Sequence, residues 1–151
     1  MFIARVQEED FDVSSETKAL QKNIHNIGAI VTFTGVVRPK ADNQSLKAMT
    51  LEHYPGMADM QLNALIDQAK NRFDLDGALV VHRYGRLYPR DNIVLVVTAS
   101  KHRKDAFDAA AFLMDWLKTK APFWKKEELA DNQARWVDCR ETDLDATDRW
   151  S

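Results

Sequence analysis

The segment at residues 93–99 is the feature of this chain that most restricts its fold. It is apolar almost throughout, which is typical of a central strand covered on both faces. A helix follows directly, because Ser100 can cap a first turn, apolar residues then recur at helical spacing, and Pro122 forces an end. We predict a helix over residues 101–120. Its inward positions are predicted to be Ala106, Phe107, Ala110, Leu113, Met114 and Leu117.

The remaining segments complete a pattern of strands and helices. Strands are predicted at 2–6, 29–38, 51–54, 78–84 and 136–140, and a polar, turn-rich loop at 39–47. One further helix begins at Ser14 or Ser15 and ends at Gly28, and another runs from Gly56 to about Phe73. The inward residues of the latter are predicted to be Met57, Met60, Ala64, Leu65 and Ala69. Hairpins mixed with helical connections indicate an α+β fold, and 151 residues without repeat or linker fit one domain, 1–151.

Charge and cysteine content exclude several classes of protein. A net charge of -2 argues against a general nucleic-acid binder, and the longest apolar stretches are far too short to cross a bilayer. The N-terminus has no apolar leader region, so we expect a cytoplasmic protein. Cys139 is the only cysteine, which rules out an intramolecular disulfide. The histidines are scattered without a ligand-spaced pair, so no metal is expected.

A first group of cations lies where the central strand passes into the long helix. Lys101, His102 and Arg103 stand beside backbone N–H groups that the helix leaves unpaired, and such groups favour phosphate. Arg103 can bind phosphate through two hydrogen bonds. The alternative is a solvated first turn, and the residues alone leave both interpretations open. Arg38, at the end of a strand, is another candidate anion ligand, with an ordinary strand-end charge as the alternative.

A second group of cations follows the other end of the same helix. Lys118 stands one turn after Met114, so its stem can lie on apolar surface with the amine at a pocket rim. Phe123 and Trp124 add ring faces close to Lys125. A lysine partly removed from water suits proton transfer or nucleophilic work. Taken alone, the residues favour the plainer alternative of cations at a helix C-terminus with an aromatic anchor.

The two groups cannot contact one small ligand within a single chain. Arg103 and Lys118 are fifteen positions apart, which at helical rise is about 22 Å. Either they serve separate sites, or two copies of the chain build one pocket. We favour the shared pocket, and therefore a homodimer.

Five runs of residues together resemble the large, catalytic subunit of molybdopterin synthase. They are FTGVVR at 33–38, LEHYPGM at 51–57, HRYG at 82–85, SKHR at 100–103 and LKTKAPFWKKE at 117–127. The resemblance extends in order from about Gly28 to Glu141. It implies an α/β-hammerhead-like fold, with a mixed or antiparallel sheet, packed helices and extra β elements that form a dimer contact.

The resemblance also implies a reaction and its partners. The family transfers sulfur to cyclic pyranopterin monophosphate and so forms the dithiolene of molybdopterin. The sulfur arrives as a thiocarboxylate on the Gly-Gly C-terminus of a small ubiquitin-like subunit, so neither metal nor resident cofactor is needed. Two large subunits form a homodimer within a heterotetramer, and each pocket draws residues from both copies.

Carried over position by position, the resemblance assigns roles to eight residues. Lys118 resembles the main catalytic lysine and Lys125 the second. The phosphate would be held by Arg38, His102, Arg103 and Arg140, the last three supplied by the neighbouring copy. Phe33 and Met114 would shape an apolar wall. Two other hypotheses remain: a catalytically silent module that docks a ubiquitin-like tail, and an unrelated phosphate-ligand protein built on the Ser100 helix terminus.

Overall fold

The structure, a computed structural model, describes residues 1–120, 122–137, 141–148 and 150, without the side chains of residues 141–144. In chain order its elements are β1 (Phe2–Gln7), α1 (Val13–Lys22), β2 (Ala29–Val36), β3 (Lys40–Ala41), β4 (Gln44–His53), α2 (Met57–Arg72), β5 (Gly77–Arg83), β6 (Gly85–Leu87), β7 (Asn92–Ser100), α3 (Arg103–Thr119), β8 (Phe123–Leu129), β9 (Ala134–Val137) and α4 (Glu141–Asp148). The predicted α+β class is confirmed.

A four-stranded mixed sheet, in the order β1-β5-β7-β2, forms the centre of the fold. β1 runs parallel to β5, whereas β5 and β2 both run antiparallel to β7. The prediction that residues 93–99 form a central strand is confirmed, since β7 lies between two strands and is buried from Val94 onward. Such a strand can be apolar on both faces because helices cover both.

Helices cover the two faces of this sheet unequally. α2 and α3 pack on one face over a core that includes Leu62, Val80 and Leu113. The shorter α1 covers the other face, where Leu20 packs with the strand residues Leu79 and Val97. The larger core therefore lies beneath α3, the helix that carries the predicted anion site at its start and Lys118 at its end.

A second, antiparallel sheet adjoins the first. It has the order β3-β4-β8-β9, with β6 pairing on β4. A small core of its own includes Met49, Leu51 and Leu87. Strand β8 pairs with β4 so that Phe123 lies opposite His53 and Lys125 opposite Leu51. This pairing carries Phe123 to the edge of the main core, against which it packs.

Several sequence predictions are wrong in detail. The segment 39–47 is not simply a loop, because β3 and the start of β4 form a hairpin whose turn residues Asp42 and Asn43 both have positive φ. Strand β8 was not predicted at all. Asp12, rather than a serine, caps α1 by accepting a hydrogen bond from Ser15 N at 2.8 Å, and this helix ends at Lys22.

The inward face of α2 was predicted only in part, because Leu65 and Ala69 are buried as predicted but Ala64 is exposed. Met57 and Met60 are exposed, whereas Ala58, Leu62 and Ile66 are buried. On α3, Phe107 is also exposed rather than inward, at 60% of its surface. Among the residues that the structure describes, no helix combines the length and apolarity needed to cross a membrane.

Candidate active site

Lys118 and Lys125 reach one region from two different elements. Lys118 lies exposed in the last turn of α3, and Lys125 lies half-buried on β8. Alternate residues of a strand share a face, so Lys125 lies on the same face as Phe123, about 7 Å further along the strand. The turn after α3 therefore allows both amines to approach the place where Phe123 meets the main sheet.

Four rings form the floor of this region. Phe123 stacks on His82 with ring centroids 3.8 Å apart and planes at 12°. The ring centroid of His53 lies 6.1 Å from that of Phe123 and 4.3 Å from that of Tyr84. The rings come from β4, from the end of β5 and the residue after it, and from β8, so the cluster joins the two sheets. We call these four residues, His53, His82, Tyr84 and Phe123, the aromatic cluster.

The imidazole of His82 is held uncharged. Burial is the largest cause and lowers the pKa of His82 from 6.5 to about 4, against the hydrogen bond to Arg83, which raises it. The positive charge of Lys118 lowers the pKa of His82 further, and so does that of His53. Lys118 is therefore close enough to act electrostatically on the aromatic cluster.

Arg38 lies two residues beyond the end of β2, at the same end of the main sheet. Gly35 and His82 are the two strand neighbours of Val94, and Arg38 follows Gly35 by three residues. The backbone remains tied there, because Val37 N donates to Asp91 O at 2.8 Å. Arg38 is exposed and forms no ion pair with any residue that the structure describes. Its guanidinium is thus placed to bind an anion at this end.

Phe33 and Met114 lie on the side of the main sheet that α2 and α3 cover. Phe33 pairs with the core residue Val96 but stays 40% exposed, because β2 is an edge strand of the sheet within this chain. The Phe33 ring leans toward Gly35, where an added Cβ would meet its Cε1 at 3.5 Å. Met114 packs half-buried against the core, one turn before Lys118. Both residues are placed where they could line an apolar wall, and that role stays a prediction.

His102 and Arg103 lie at the opposite end of α3. His102 is the N-cap residue and makes no side-chain capping bond, and Arg103 begins the helix. This corrects the assignment of the cap to Ser100, which ends β7 and donates to Asp74 O at 2.7 Å. The neighbouring Lys101 pairs with Asp76. Across the described ranges Arg103 has no such acidic partner, so its charge is available to a ligand.

The structure therefore brings together some of the predicted site residues and separates others. Arg38, Lys118 and Lys125 share one end of the sheet, while His102 and Arg103 are a helix length away. Arg140 and Cys139 lie outside the described residues. Among the side chains that are described, no group of three or more His, Cys, Asp or Glu could hold a metal ion.

The two clefts found on the described surface do not coincide with the lysines. Two open clefts of about 410 and 350 Å³ lie between α2 and α3, and both are lined by Gln68 and Trp116. Neither lining includes Lys118 or Lys125. We take the lysine region as the site because it combines cations, a buried titratable ring and apolar walls, whereas the clefts are shallow helix grooves.

His82 and His53 are site residues that the sequence reasoning missed, having counted them only as scattered histidines. A usable signal was present for His82. In the apolar strand GALVVHR, it alternates with Ala78 and Val80, so its side chain shares their covered face. A histidine on a covered face beside a lysine-bearing helix end is a candidate for a perturbed pKa.

The fold and the site define an α+β protein with lysine and arginine side chains at one end of a mixed sheet, an arrangement suited to anionic ligands. Comparison with known proteins is more specific. The family model described as "MoaE protein" matches residues 6–120, and the chain belongs to this family.

Several relatives with about half of their residues identical to this chain share one name. The chain is 52% identical over 146 residues to the "Molybdopterin synthase catalytic subunit" of Brucella melitensis, covering 96% of this chain and 88% of that protein. The solved structure "Molybdopterin biosynthesis MoaE protein from Burkholderia ambifaria" matches with a TM-score of 0.84 at 47% identity, covering 99% of this chain and 98% of that one. Molybdopterin synthase from Staphylococcus aureus matches at 0.81 and 28%, covering 88% and 95%. The family resemblance and the enzyme class predicted from the sequence are confirmed.

Proposed function

We propose that the chain transfers sulfur from the C-terminal thiocarboxylate of a small ubiquitin-like subunit, ending in Gly-Gly, to cyclic pyranopterin monophosphate. The product is the dithiolene of molybdopterin. The observation that carries the proposal is that Lys118, at the end of α3, acts electrostatically on His82 of the aromatic cluster, while Lys125 lies on the same face of β8 as Phe123 of that cluster. The name shared by the relatives supports it, since a catalytic subunit works with another subunit.

Each transfer exchanges one sulfur for one oxygen. The thiocarboxylate sulfur forms a bond to a side-chain carbon of the pterin, and an oxygen substituent leaves that carbon with its electron pair. Water then adds to the acyl carbon of the carrier and releases a proton. The acyl carbon–sulfur bond breaks with its electron pair on sulfur, so the carrier ends as a carboxylate. No oxidant or reductant is consumed, and the two sulfurs of a dithiolene use two carriers.

The two lysines suit different moments of this exchange. Lys118 is exposed at the end of a rigid helix, where an ammonium can donate to the tetrahedral centre as sulfur leaves the acyl carbon. Lys125 is half-buried on β8, where it can neutralise the incoming thiocarboxylate and later the carboxylate product. Arg38 at the same end can hold the pterin phosphate, with Phe33 and Met114 as the apolar wall.

We further propose that two copies of the chain complete each pocket. Arg103 and Lys118 begin and end one helix, about 22 Å apart, so His102 and Arg103 can serve the lysine site only from a neighbouring copy. Arg140 is proposed to come from that copy too. The exposed Phe33 and Val36 on the edge strand β2 are available for such a contact. The assembly is then a homodimer of large subunits with a small subunit at each end.

The direct test mixes the chain with a thiocarboxylated small subunit and cyclic pyranopterin monophosphate and measures dithiolene formation. We expect product from the wild type and a loss of about 100-fold or more in Lys118→Ala. Lys120→Ala is the matched control, because Lys120 follows α3 directly and lies 5.4 Å from the Trp116 ring, beside the clefts rather than the site.

Lys125 has its own control one residue away. Lys126 lies on the opposite face of β8, 5.9 Å from the Trp136 ring. Lys125→Ala is expected to impair sulfur transfer, and Lys126→Ala to leave it near the wild-type rate. No product from the wild type, with the small subunit still bound, would favour the silent docking module. Tight binding of common nucleotides instead would favour the unrelated phosphate-ligand protein.

Mixing two inactive variants tests the shared pocket. If Arg103 serves the pocket of the other copy, a dimer of one Lys118→Ala chain and one Arg103→Ala chain holds one intact site. Subunit exchange between the two variants should then restore about a quarter of the wild-type activity. Activity that stays at the level of the separate variants would show that each pocket is built within one chain.

Three broader predictions belong to the same proposal. We propose that residues 1–151 act as one domain in the cytoplasm and that neither metal nor resident cofactor takes part, since the sulfur is delivered by the carrier. If no metal takes part, sulfur transfer should persist after the chain is dialysed against a chelator. The assay again uses the chain, the thiocarboxylated small subunit and cyclic pyranopterin monophosphate.

A further inference from the structure

His82 is the residue through which the two lysine-bearing elements meet. It ends the buried part of β5, is only 7% exposed, and stacks on Phe123 at 3.8 Å. Phe123 begins β8, which carries Lys125 on the same face. The charge of Lys118 acts on His82 from the end of α3. One ring is thus in contact with the strand of one lysine and within electrostatic reach of the other.

The hydrogen bond of His82 fixes its tautomer. Nδ1 lies 2.8 Å from Arg83 O, and a carbonyl oxygen can only accept, so Nδ1 carries the hydrogen. In the uncharged ring the lone pair is then on Nε2. Within the described part of the chain, no hydrogen bond of Nε2 is found. Nε2 can therefore accept a hydrogen bond at the lysine site.

The surroundings keep this acceptor uncharged at neutral pH. The titratable groups that act on His82 are Lys118 from α3 and His53 from β4. Its strand neighbours are apolar, Val6 on β1 and Val94 on β7, and from β8 it meets the Phe123 ring. Burial among these groups, more than either charge, holds the pKa of His82 near 4.

We propose that His82 is a positioning residue for sulfur transfer. Its Nε2 accepts a hydrogen bond from the Lys118 ammonium during the reaction and directs that ammonium at the acyl carbon. Its stack on Phe123 holds β8, and with it Lys125, at a fixed distance from Lys118. This role rests on the function proposed above. His82 itself neither gains nor loses a proton, and no bond to the substrate forms on it.

Two variants separate the acceptor from the ring. His82→Phe keeps an aromatic ring on Phe123 but removes both nitrogens, whereas His82→Gln keeps a donor and an acceptor on a side chain of similar reach. We expect His82→Phe to lower kcat about tenfold or more with little change in KM, because a misdirected ammonium impairs the reaction step more than binding. His82→Gln should recover part of that loss. Thermal unfolding of each variant confirms that it is folded.

The pH profile gives a readout that a purely structural role would not change. An ammonium that loses an acceptor is less favoured in its protonated form, so the alkaline limb of kcat in His82→Phe should move to lower pH. In the ¹⁵N-labelled chain alone, His82 should show the Nδ1–H tautomer, and Lys118→Met should raise the pKa of His82 by removing a nearby positive charge.

The outcomes separate this role from the function on which it rests. A wild type that forms no product overturns both. If the wild type forms product and His82→Phe has the same kcat and pH profile, only the positioning role is overturned. A His82 pKa that does not respond to Lys118→Met also overturns it, since the two side chains are then not coupled. A lower kcat with a shifted alkaline limb and recovery in His82→Gln supports it.

Discussion

The buried imidazole of His82 should make the fold less stable in mild acid. In the unfolded chain the ring binds a proton near pH 6.5, whereas in the folded chain burial lowers the pKa of His82 to about 4. Between these values the unfolded state binds more protons than the folded state. The free energy of unfolding therefore rises with pH across this window. The stability that depends on an uncharged His82 is fully present above about pH 6.5 and is lost as the pH falls toward 4.

The size of the effect follows from the two pKa values of His82. They differ by about 2.5 units, and each unit corresponds to about 1.4 kcal/mol, so the full window is worth roughly 3 kcal/mol. Because the side chain is only 7% exposed, solvent screening reduces this little. For a domain of ordinary stability, this is a large share of the total.

Urea unfolding at fixed protein concentration and ionic strength, from pH 5 to pH 8, measures the effect in the wild type and in His82→Phe. Carboxylates and the other histidines titrate in both proteins, so the difference between the two free energies of unfolding isolates His82. We expect this difference to change by about 1 kcal/mol per pH unit between pH 5 and 6 and to be flat above pH 7. His25→Gln, at an exposed histidine, is the control for replacing a histidine as such. Parallel curves for His82→Phe and the wild type would refute the reasoning.

Two further predictions concern the backbone. Gly28→Ala should destabilise the fold by about 1–3 kcal/mol in urea unfolding, because a Cβ at Gly28 would lie 1.9 Å from Lys101 O and force β2 away from the start of α3. The same variant should weaken binding of the pterin phosphate, and an unchanged melting temperature would contradict the predicted clash. Asp12→Ala should lower the melting temperature, because it removes the acceptor for Ser15 N; the same hydrogen bond lowers the pKa of Asp12. Asp12→Asn keeps an acceptor and should lower the melting temperature less.

The parts of the fold that could be predicted are those in which local pattern and burial agree. The apolar run in β7 and the helical spacing of α3 each identify an element, and the structure places both where expected. Phe107 shows the limit of periodicity. It lies next to the buried Ala106 and was predicted to face inward, but its side chain is exposed. Periodicity marks a residue as apolar without telling whether it packs against its own chain or against another.

Strand β8 could not be predicted because its sequence lacks alternation. FWKKEEL carries charge on both faces, and its composition favours a helix as much as a strand. Glu127 is buried there, and Arg135, on the neighbouring β9, compensates its charge with an ion pair at 3.2 Å. That partner is fixed by strand pairing, which the local sequence does not specify.

The same dependence on pairing explains why the lysines were identified more easily than their surroundings. Lys118 and Lys125 were named from sequence spacing and resemblance, and seven positions along the chain allow many separations between their amines. Strand β8 selects one of these, because its pairing with β4 fixes Phe123 opposite His53 and in contact with His82. The distance between the two amines is therefore set by contacts across two sheets. Substitutions in the aromatic cluster should accordingly alter sulfur transfer even where both lysines are intact.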